Sequence, residues 1–260
     1  RRPDELLTQR HMDLAASVQA VTEEIVLKIT RALAKETGQK NLCLAGGVAL
    51  NCVANDRILR DGAFENIWVQ PAAGDAGGSL GAALAAHHLH LGNKRTVPVN
   101  GDSMRGSYLG PSYDQDEIES CLTAVGAVFD TLNENSMLEL TAQALADGKA
   151  IGWFQGPMEF GPRALGGRSF IGDARSPVMQ KLLNLKVKYR ESFRPFAPSV
   201  LAEDAPDWFE LDSDSPYMLI VSNVVEKRRR QMSEKEKNLF GIDKLNVSRS
   251  DIPAVTHVDY

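Results

Sequence analysis

Cysteine is scarce in this 260-residue chain: there are three, Cys43, Cys52 and Cys121. Their odd number and lack of zinc-type spacing exclude a secreted disulfide scaffold and a zinc finger, and fit a reducing cytoplasm. There is no apolar run of about eighteen residues, so no transmembrane helix is expected. The opening RRPDELLTQR lacks the charged-then-apolar shape of a signal peptide and begins without methionine, so it reads as a piece of something longer. Positive charge is not in excess either. The 29 Lys and Arg against 34 Asp and Glu leave a net charge of −5. The chain as a whole therefore has no electrostatic reason to seek nucleic acid or an anionic membrane, and any basic site must be local. Internal repeats and low-complexity tracts are also missing. What is present is ordinary globular composition, 43% hydrophobic and 24% charged, in a chain long enough for two compact domains.

Along the chain, Leu14, Val18, Val21, Ile25, Ile29, Ala32 and Leu33 repeat at helical spacing. Asp13 is the expected N-cap of this helix and Gly38 its stop. NLCLA (41–45) reads as a buried strand, followed by a tight turn, GGVALN (46–51), and a helix over 48–61. The pattern then repeats: NIWVQ (66–70) as strand, PAAGDAGGSLG (71–81) as turn, and a helix over 79–90. This order predicts α/β packing with both turns at the same end of a sheet. LGNKRTVPVNGDSMRG (91–106) has no periodicity and marks a domain boundary, with 98–106 as the linker between 1–97 and 107–260. Beyond it, Asp114 with Glu117 and Ser136 with Glu139 have capping-box spacing. KAIGWFQ (149–155) and YMLIVSN (217–223) read as strands, and Ser176-Pro177 opens a helix over 177–188. EKRRRQMSEKEK (226–237) reads as a solvated mixed-charge face.

Two features carry chemistry. Each glycine turn comes after a strand and opens a helix, which presents free backbone N–H groups to an anion, with Asp75 placed to hold a metal beside phosphate. Neither turn has P-loop or Rossmann spacing, and the plainer reading stays open: the glycines permit close packing and Asp75 caps a helix. The second feature is FGPRALGGRSF (160–170) with the basic segment that continues to residue 195. Residues 160–195 carry eight cations (Arg163, Arg168, Arg175, Lys181, Lys186, Lys188, Arg190, Arg194) and two acids (Asp173, Glu191). Interleaving with Gly, Pro and Phe predicts guanidinium groups gathered at one pocket for phosphate or carbamoyl oxygens. Scattered surface cations or a short nucleic-acid groove are the alternatives. His87, His88 and His90 read as exposed residues at a helix end, and Cys43 and Cys52 as small core residues. His257 and Asp259 form a polar pair that is either structural or functional.

NLCLAGGVALNCVAN, QPAAGDAGGSLGAAL, GWFQGPMEFGPRALGGRSF and VKYRESFRPFAPSVL together resemble the O-carbamoyltransferases of the NodU, NolO and CmcH type, over essentially the whole chain. The resemblance leans to the nodulation proteins. It implies the C-terminal part of a Kae1-like domain of the actin/hexokinase ATPase class, followed by a YrdC-like α/β domain. It further implies that carbamoyl phosphate and ATP give carbamoyl adenylate, whose carbamoyl group passes to a hydroxyl of a sugar-type acceptor such as a lipo-chitooligosaccharide. By motif matching, Arg163, Arg168 and Arg194 are the expected catalytic cations. Lys188, Arg190, His257 and Asp259 would join them in binding carbamoyl phosphate and ATP, with Glu159 and Ser169 positioning the site. Gly46, Gly47, Asn51, Gly74 and Gly77 would bind nucleotide, and Asp75 would ligate a divalent metal, Mg or Fe. The histidines that complete that metal site in the family belong to a preceding half, so weak activity is expected of this stretch alone. Pro157 stands where many members carry Arg. Two rival readings remain: threonylcarbamoyl-type or hydrogenase-maturation chemistry, and a non-catalytic nucleotide- or RNA-binding module.

Overall fold

The computed structural model describes Glu5, residues 7–98 and residues 101–255. Helix α1 (Gln9–Thr37) begins earlier than the apolar repeat implied. Thr8 caps it, its N–H donating to His11 Nδ1 at 3.1 Å, and Asp13 lies inside the helix instead. Gly38 ends it in the left-handed conformation, as expected. Strands β1 (Asn41–Leu44) and β2 (Asn66–Val69) pair in parallel, Leu42 opposite Ile67 and Leu44 opposite Val69. After β1, residues 47–50 make one tight turn before α2 (Cys52–Asp61), whose N-cap Asn51 accepts the Ala54 N–H at 3.1 Å. After β2, α3 (Asp75–Ala85) starts four residues ahead of the expected position. A carboxylate in the first turn favours that start, since it faces the positive end of the helix dipole. The α/β order read from the sequence is thus present, with both glycine turns at one end of the two strands.

In the second stretch α4 (Gln115–Ala124) opens on the expected reciprocal Asp114–Glu117 box. Helix α5 (Glu134–Ala146) is capped by Asn133, which accepts the Ser136 N–H at 3.0 Å, so Ser136 is the donor and not the cap. Strand β3 (Ile151–Phe154) pairs antiparallel with β4 (Arg168–Ile171). The end of the glycine-rich motif is therefore a strand, a state that local pattern alone does not reveal because it depends on the partner at 151–154. The helix expected over 177–188 is a single α turn, α6 (Met179–Leu182), widening into a π turn over Leu183–Val187. Residues 217–223 form no strand. Tyr217 and Leu219 instead plug the main buried cluster, while Val224 alone bridges to Phe209.

That cluster joins both sides of the 98–106 segment: Ala49, Val69 and Ala73 pack with Met104, Tyr217 and Leu219. The buried Asn55 amide fastens the same junction, donating to the carbonyls of Ala49 (2.8 Å) and Leu219 (2.9 Å). A second cluster lies under α1, where Val26, Leu27 and Ala34 pack on Leu42, Ile58 and Phe64. A third gathers Met179, Leu183 and Ala254. The charged run at 226–237 is solvated as expected, with Lys227 paired to Asp207, Arg229 to Glu210 and Arg230 to Asp251.

Candidate functional site

The two glycine turns lie side by side, because the Gly46 N–H donates to the Ala73 carbonyl at 2.8 Å. Gly77 permits the closure of the second: a Cβ there would collide with the Ala72 carbonyl. Onto this pair descends the loop between β3 and β4. Gly161, at φ 136°, brings its backbone so close to Pro71 and Ala72 that a Cβ would stand 3.1 Å from the Pro71 carbonyl. Two residues on, Arg163 Nη2 donates to the Leu50 carbonyl at 3.0 Å, inside the Gly46–Asn51 turn. Its Nε is buried with no hydrogen-bond partner, so the protein leaves part of this guanidinium unsatisfied. Gly46, Gly47, Asn51, Gly74, Gly77 and Arg163 are thereby gathered in one neighbourhood.

Glu159 holds the loop in shape. Its buried Oε1 accepts the N–H groups of Leu165 (2.7 Å), Gly167 (2.7 Å) and Arg168 (3.3 Å). Burial raises the Glu159 pKa, but these donors and its own N–H together outweigh that and hold the carboxyl below its ordinary value. Ser169 Oγ accepts the Gly166 N–H at 2.9 Å, and Tyr108 donates its hydroxyl to the Leu165 carbonyl. Burial, and then the Glu159 charge, push the Tyr108 pKa up. Ser107 Oγ donates to the Phe160 carbonyl at 2.9 Å. Sequence reasoning misses Tyr108 and Ser107. Nothing local marks them, since their partners lie more than fifty residues away.

The remaining cations do not share a single pocket. Arg168 Nη1 donates to the carbonyls of Gly156 (3.0 Å) and Gly167 (2.7 Å), and its guanidinium lies 3.3 Å over the Phe154 ring. It pins the hairpin. Lys188 sits 5.2 Å above Phe170 on the same strand pair. Arg190 and Arg194 occupy a separate loop that is organised by Asn184, which is fully buried. Asn184 Oδ1 accepts from Arg190 Nε at 2.6 Å, and its Nδ2 donates to the carbonyls of Ser192 (3.1 Å) and Arg194 (2.8 Å). Burial and then the like charge of Arg194 push the Arg190 pKa down. Arg194 also pairs with Glu191 at 3.1 Å, and Arg175 pairs with Asp173 on the surface. The expected single cluster is thus replaced by two loops. Fixed backbone carbonyls and buried amides compete for the guanidinium donors and direct them apart.

Asp75 is exposed in the first turn of α3. No group of three or more His, Cys, Asp or Glu placed to hold a metal occurs among the described residues. These residues do not by themselves fit a divalent ion. His257 and Asp259 lie outside the described residues. Cys43 is exposed and Cys52 half-buried, so Cys43 is not the core residue expected. A cavity of about 480 Å³ opens beside β2, lined by Trp68, Asp102, Arg105, Asp214 and Tyr217 among others, and contains none of the expected site residues. No described helix is long and apolar enough to cross a membrane.

Two turns bound edge to edge and an arginine loop laid over them describe an α/β protein with a built polar crest. Sequence comparison gives its class. The Carbamoyltransferase N-terminus family matches residues 2–84 and the Carbamoyltransferase C-terminus family residues 142–260, and the chain belongs to the carbamoyltransferases. It is 59% identical to the protein sll1178 of Synechocystis over 261 residues, covering all of this chain and 42% of the relative. It is 41% identical to nodulation protein NolNO of Sinorhizobium fredii, covering 35% of that protein. It is 40% identical to nodulation protein NolO of Bradyrhizobium diazoefficiens, covering 43%. The chain spans less than half the length of each of these relatives and matches the C-terminal portion of the nodulation proteins.

Proposed function

We propose that this chain forms part of an ATP-dependent O-carbamoyltransferase. Its first stretch would be the end of a Kae1-like domain and its second a YrdC-like domain. The reading rests on one observation above others. A loop leading into the strand β4 of the C-terminal family region reaches the glycine turns of the N-terminal region, through Arg163 and the Leu50 carbonyl. Activation on one side and transfer on the other would then meet at this crest.

The reaction would run in three steps. Water takes the phosphoryl group from carbamoyl phosphate, leaving carbamate and inorganic phosphate. A carbamate oxygen attacks the α-phosphorus of ATP and pyrophosphate leaves, giving carbamoyl adenylate. The hydroxyl of an acceptor attacks the carbamoyl carbon, losing its proton, and AMP leaves. In this reading Arg190 and Arg194, two residues of the loop tied by Asn184, would offset the negative charge developing on the phosphates. Arg163, whose Nη2 reaches the first glycine turn and whose buried Nε lacks a partner, would hold an oxygen of the intermediate. The acceptor we favour is a sugar hydroxyl, of the kind a lipo-chitooligosaccharide offers, in keeping with the nodulation-protein relatives.

The test is carbamoyl-phosphate-dependent exchange of labelled pyrophosphate into ATP by the full-length gene product. Arg194→Ala should cut exchange by about a hundredfold, the scale of one lost transition-state donor. Unchanged exchange in both Arg163→Ala and Arg194→Ala would remove the two arginines from the mechanism.

A further inference from the structure

Four residues other than glycine have positive φ among the described ones: Arg105 (49°), Ser107 (69°), Tyr189 (48°) and Met218 (55°). Left-handed backbone presses the Cβ of an L residue toward the following carbonyl, so each of these positions holds strain. Three of the four fall in two segments, 101–107 and 214–220, and both segments wall the cavity of about 480 Å³ beside β2. Strain of this kind persists only where the surrounding structure over-determines it, and it clusters at ligand sites.

The walls are tied together through Asp102. Its Oδ1 accepts the Met104 N–H at 2.7 Å, and the Tyr217 hydroxyl lies 2.9 Å from each carboxylate oxygen. Trp68 Nε1, from β2, stands 3.5 Å from Oδ2. On the same side Ser107 fastens its left-handed turn by donating its N–H to the Met104 carbonyl at 2.7 Å and its hydroxyl to Phe160. Asp102 is thereby committed to the walls themselves. Arg105 and Asp214 are not. Both are exposed at this cavity, and neither makes a side-chain hydrogen bond or ion pair among the described residues, with the other or with any third group. Much of the remaining lining is apolar: Ile67, Val69, Pro216 and Ile220, with the Trp68 indole partly open. The volume lies within the range of small-molecule pockets.

An unpaired guanidinium, an unpaired carboxylate and an apolar wall on one cavity match a small molecule that carries both charges and a hydrophobic group. We propose that this cavity binds a free amino acid with an apolar or aromatic side chain. Arg105 would take the α-carboxylate and Asp214 the α-ammonium, while the side chain would lie along Trp68 and Pro216. A phosphate ester would set like charge against Asp214, and a neutral sugar would bring an opposite charge to neither residue. Neither residue takes part in the carbamoyl chemistry proposed above, so the two readings can fail separately.

Isothermal titration calorimetry of the full-length gene product with L-phenylalanine and L-leucine tests this. Two further probes are L-phenylalanine amide, which lacks the carboxylate, and N-acetyl-L-phenylalanine, which lacks the ammonium. At least one amino acid should saturate a single site, and each analogue should bind about tenfold or more weakly than L-phenylalanine, the scale of one lost charge-assisted hydrogen bond. Arg105→Gln should weaken L-phenylalanine by a similar factor and leave the amide unmoved, and Asp214→Asn should do the same while leaving the N-acetyl analogue unmoved. No saturable binding of either amino acid overturns the proposal, as do equal affinities for L-phenylalanine and its amide, or affinities unchanged in both variants. Saturation by inorganic phosphate or N-acetylglucosamine that Arg105→Gln abolishes also overturns it, by giving the cavity to another class of ligand.

Discussion

Replacing Glu159 with alanine removes the acceptor that holds three backbone N–H groups of the 160–168 loop, and the cost can be worked from those bonds. Two are short, at 2.7 Å to Leu165 and Gly167, and one is longer, at 3.3 Å to Arg168. A hydrogen bond to a charged group contributes about 1.5–3 kcal/mol, and a buried donor left without a partner costs about 1–3 kcal/mol. Gly167 is buried and cannot turn to water, so its bond counts in full. Leu165 is half-buried and recovers part of its loss. We expect about 3 kcal/mol of local destabilisation, roughly a hundredfold in the loop's opening equilibrium at about 1.4 kcal/mol per tenfold. Amide hydrogen exchange read at Leu165, Gly167 and Arg168 is the direct assay. Glu159→Gln keeps an acceptor oxygen without the charge and should cost about 1 kcal/mol.

The pH dependence has a definite sign. The folded-state pKa of Glu159 lies below its ordinary value of 4.5, so its contribution is present above that value and is lost as pH falls through the folded pKa. Protection of the three amides, corrected for intrinsic exchange, should therefore fall on acidification. Protection that stays the same in the alanine variant, and flat as pH is lowered through the carboxylate range, would refute the reasoning.

Other substitutions test the remaining supports. Asn184→Ala empties a buried amide that ties Arg190, Ser192 and Arg194. It should destabilise the chain by about 2–3 kcal/mol in urea unfolding and loosen residues 188–194, whereas a change under about 0.5 kcal/mol would show the amide to be dispensable. Gly161→Ala forces a Cβ against the Pro71 carbonyl at positive φ. It should cost more than about 1 kcal/mol and raise amide exchange in both the 160–168 loop and the 71–74 turn; a neutral result would mean that the loop does not rest there. Burial, with the Asp102 hydrogen bond and charge, pushes the Tyr217 pKa up to about 12. Its stabilising contribution should be complete below about 10 and disappear as pH rises toward 12. The tyrosinate absorbance difference between the native chain and Tyr217→Phe should therefore have its midpoint near that upper value, and a midpoint near the free phenol's would contradict the burial.

Much of the first stretch was legible in the sequence because it depends on short-range rules. Strand, glycine turn and helix succeed one another within about twenty residues, and the apolar period separates helix from strand. The capping box at Asp114 and the stop at Gly38 are local in the same way. Family membership was legible too, since four motifs in order carry it. Long-range partners were not legible. Strand β4 exists only because residues 151–154 lie beside it. Residues 217–223 had strand composition, yet the first stretch offered a cavity for Tyr217 and Leu219, and burial outweighed pairing.

The arginine-rich loop shows the division most clearly. Sequence alone determined that cations, glycines and prolines would be concentrated at residues 160–195, and the single pocket expected of them did not follow. Which way each guanidinium turns was decided by the tertiary structure. Carbonyls and amides from distant residues compete for its donors: Leu50 for Arg163, Gly156 for Arg168, Asn184 for Arg190. Hydrogen-bond competition of this kind operates through space, and no spacing along the chain encodes its outcome.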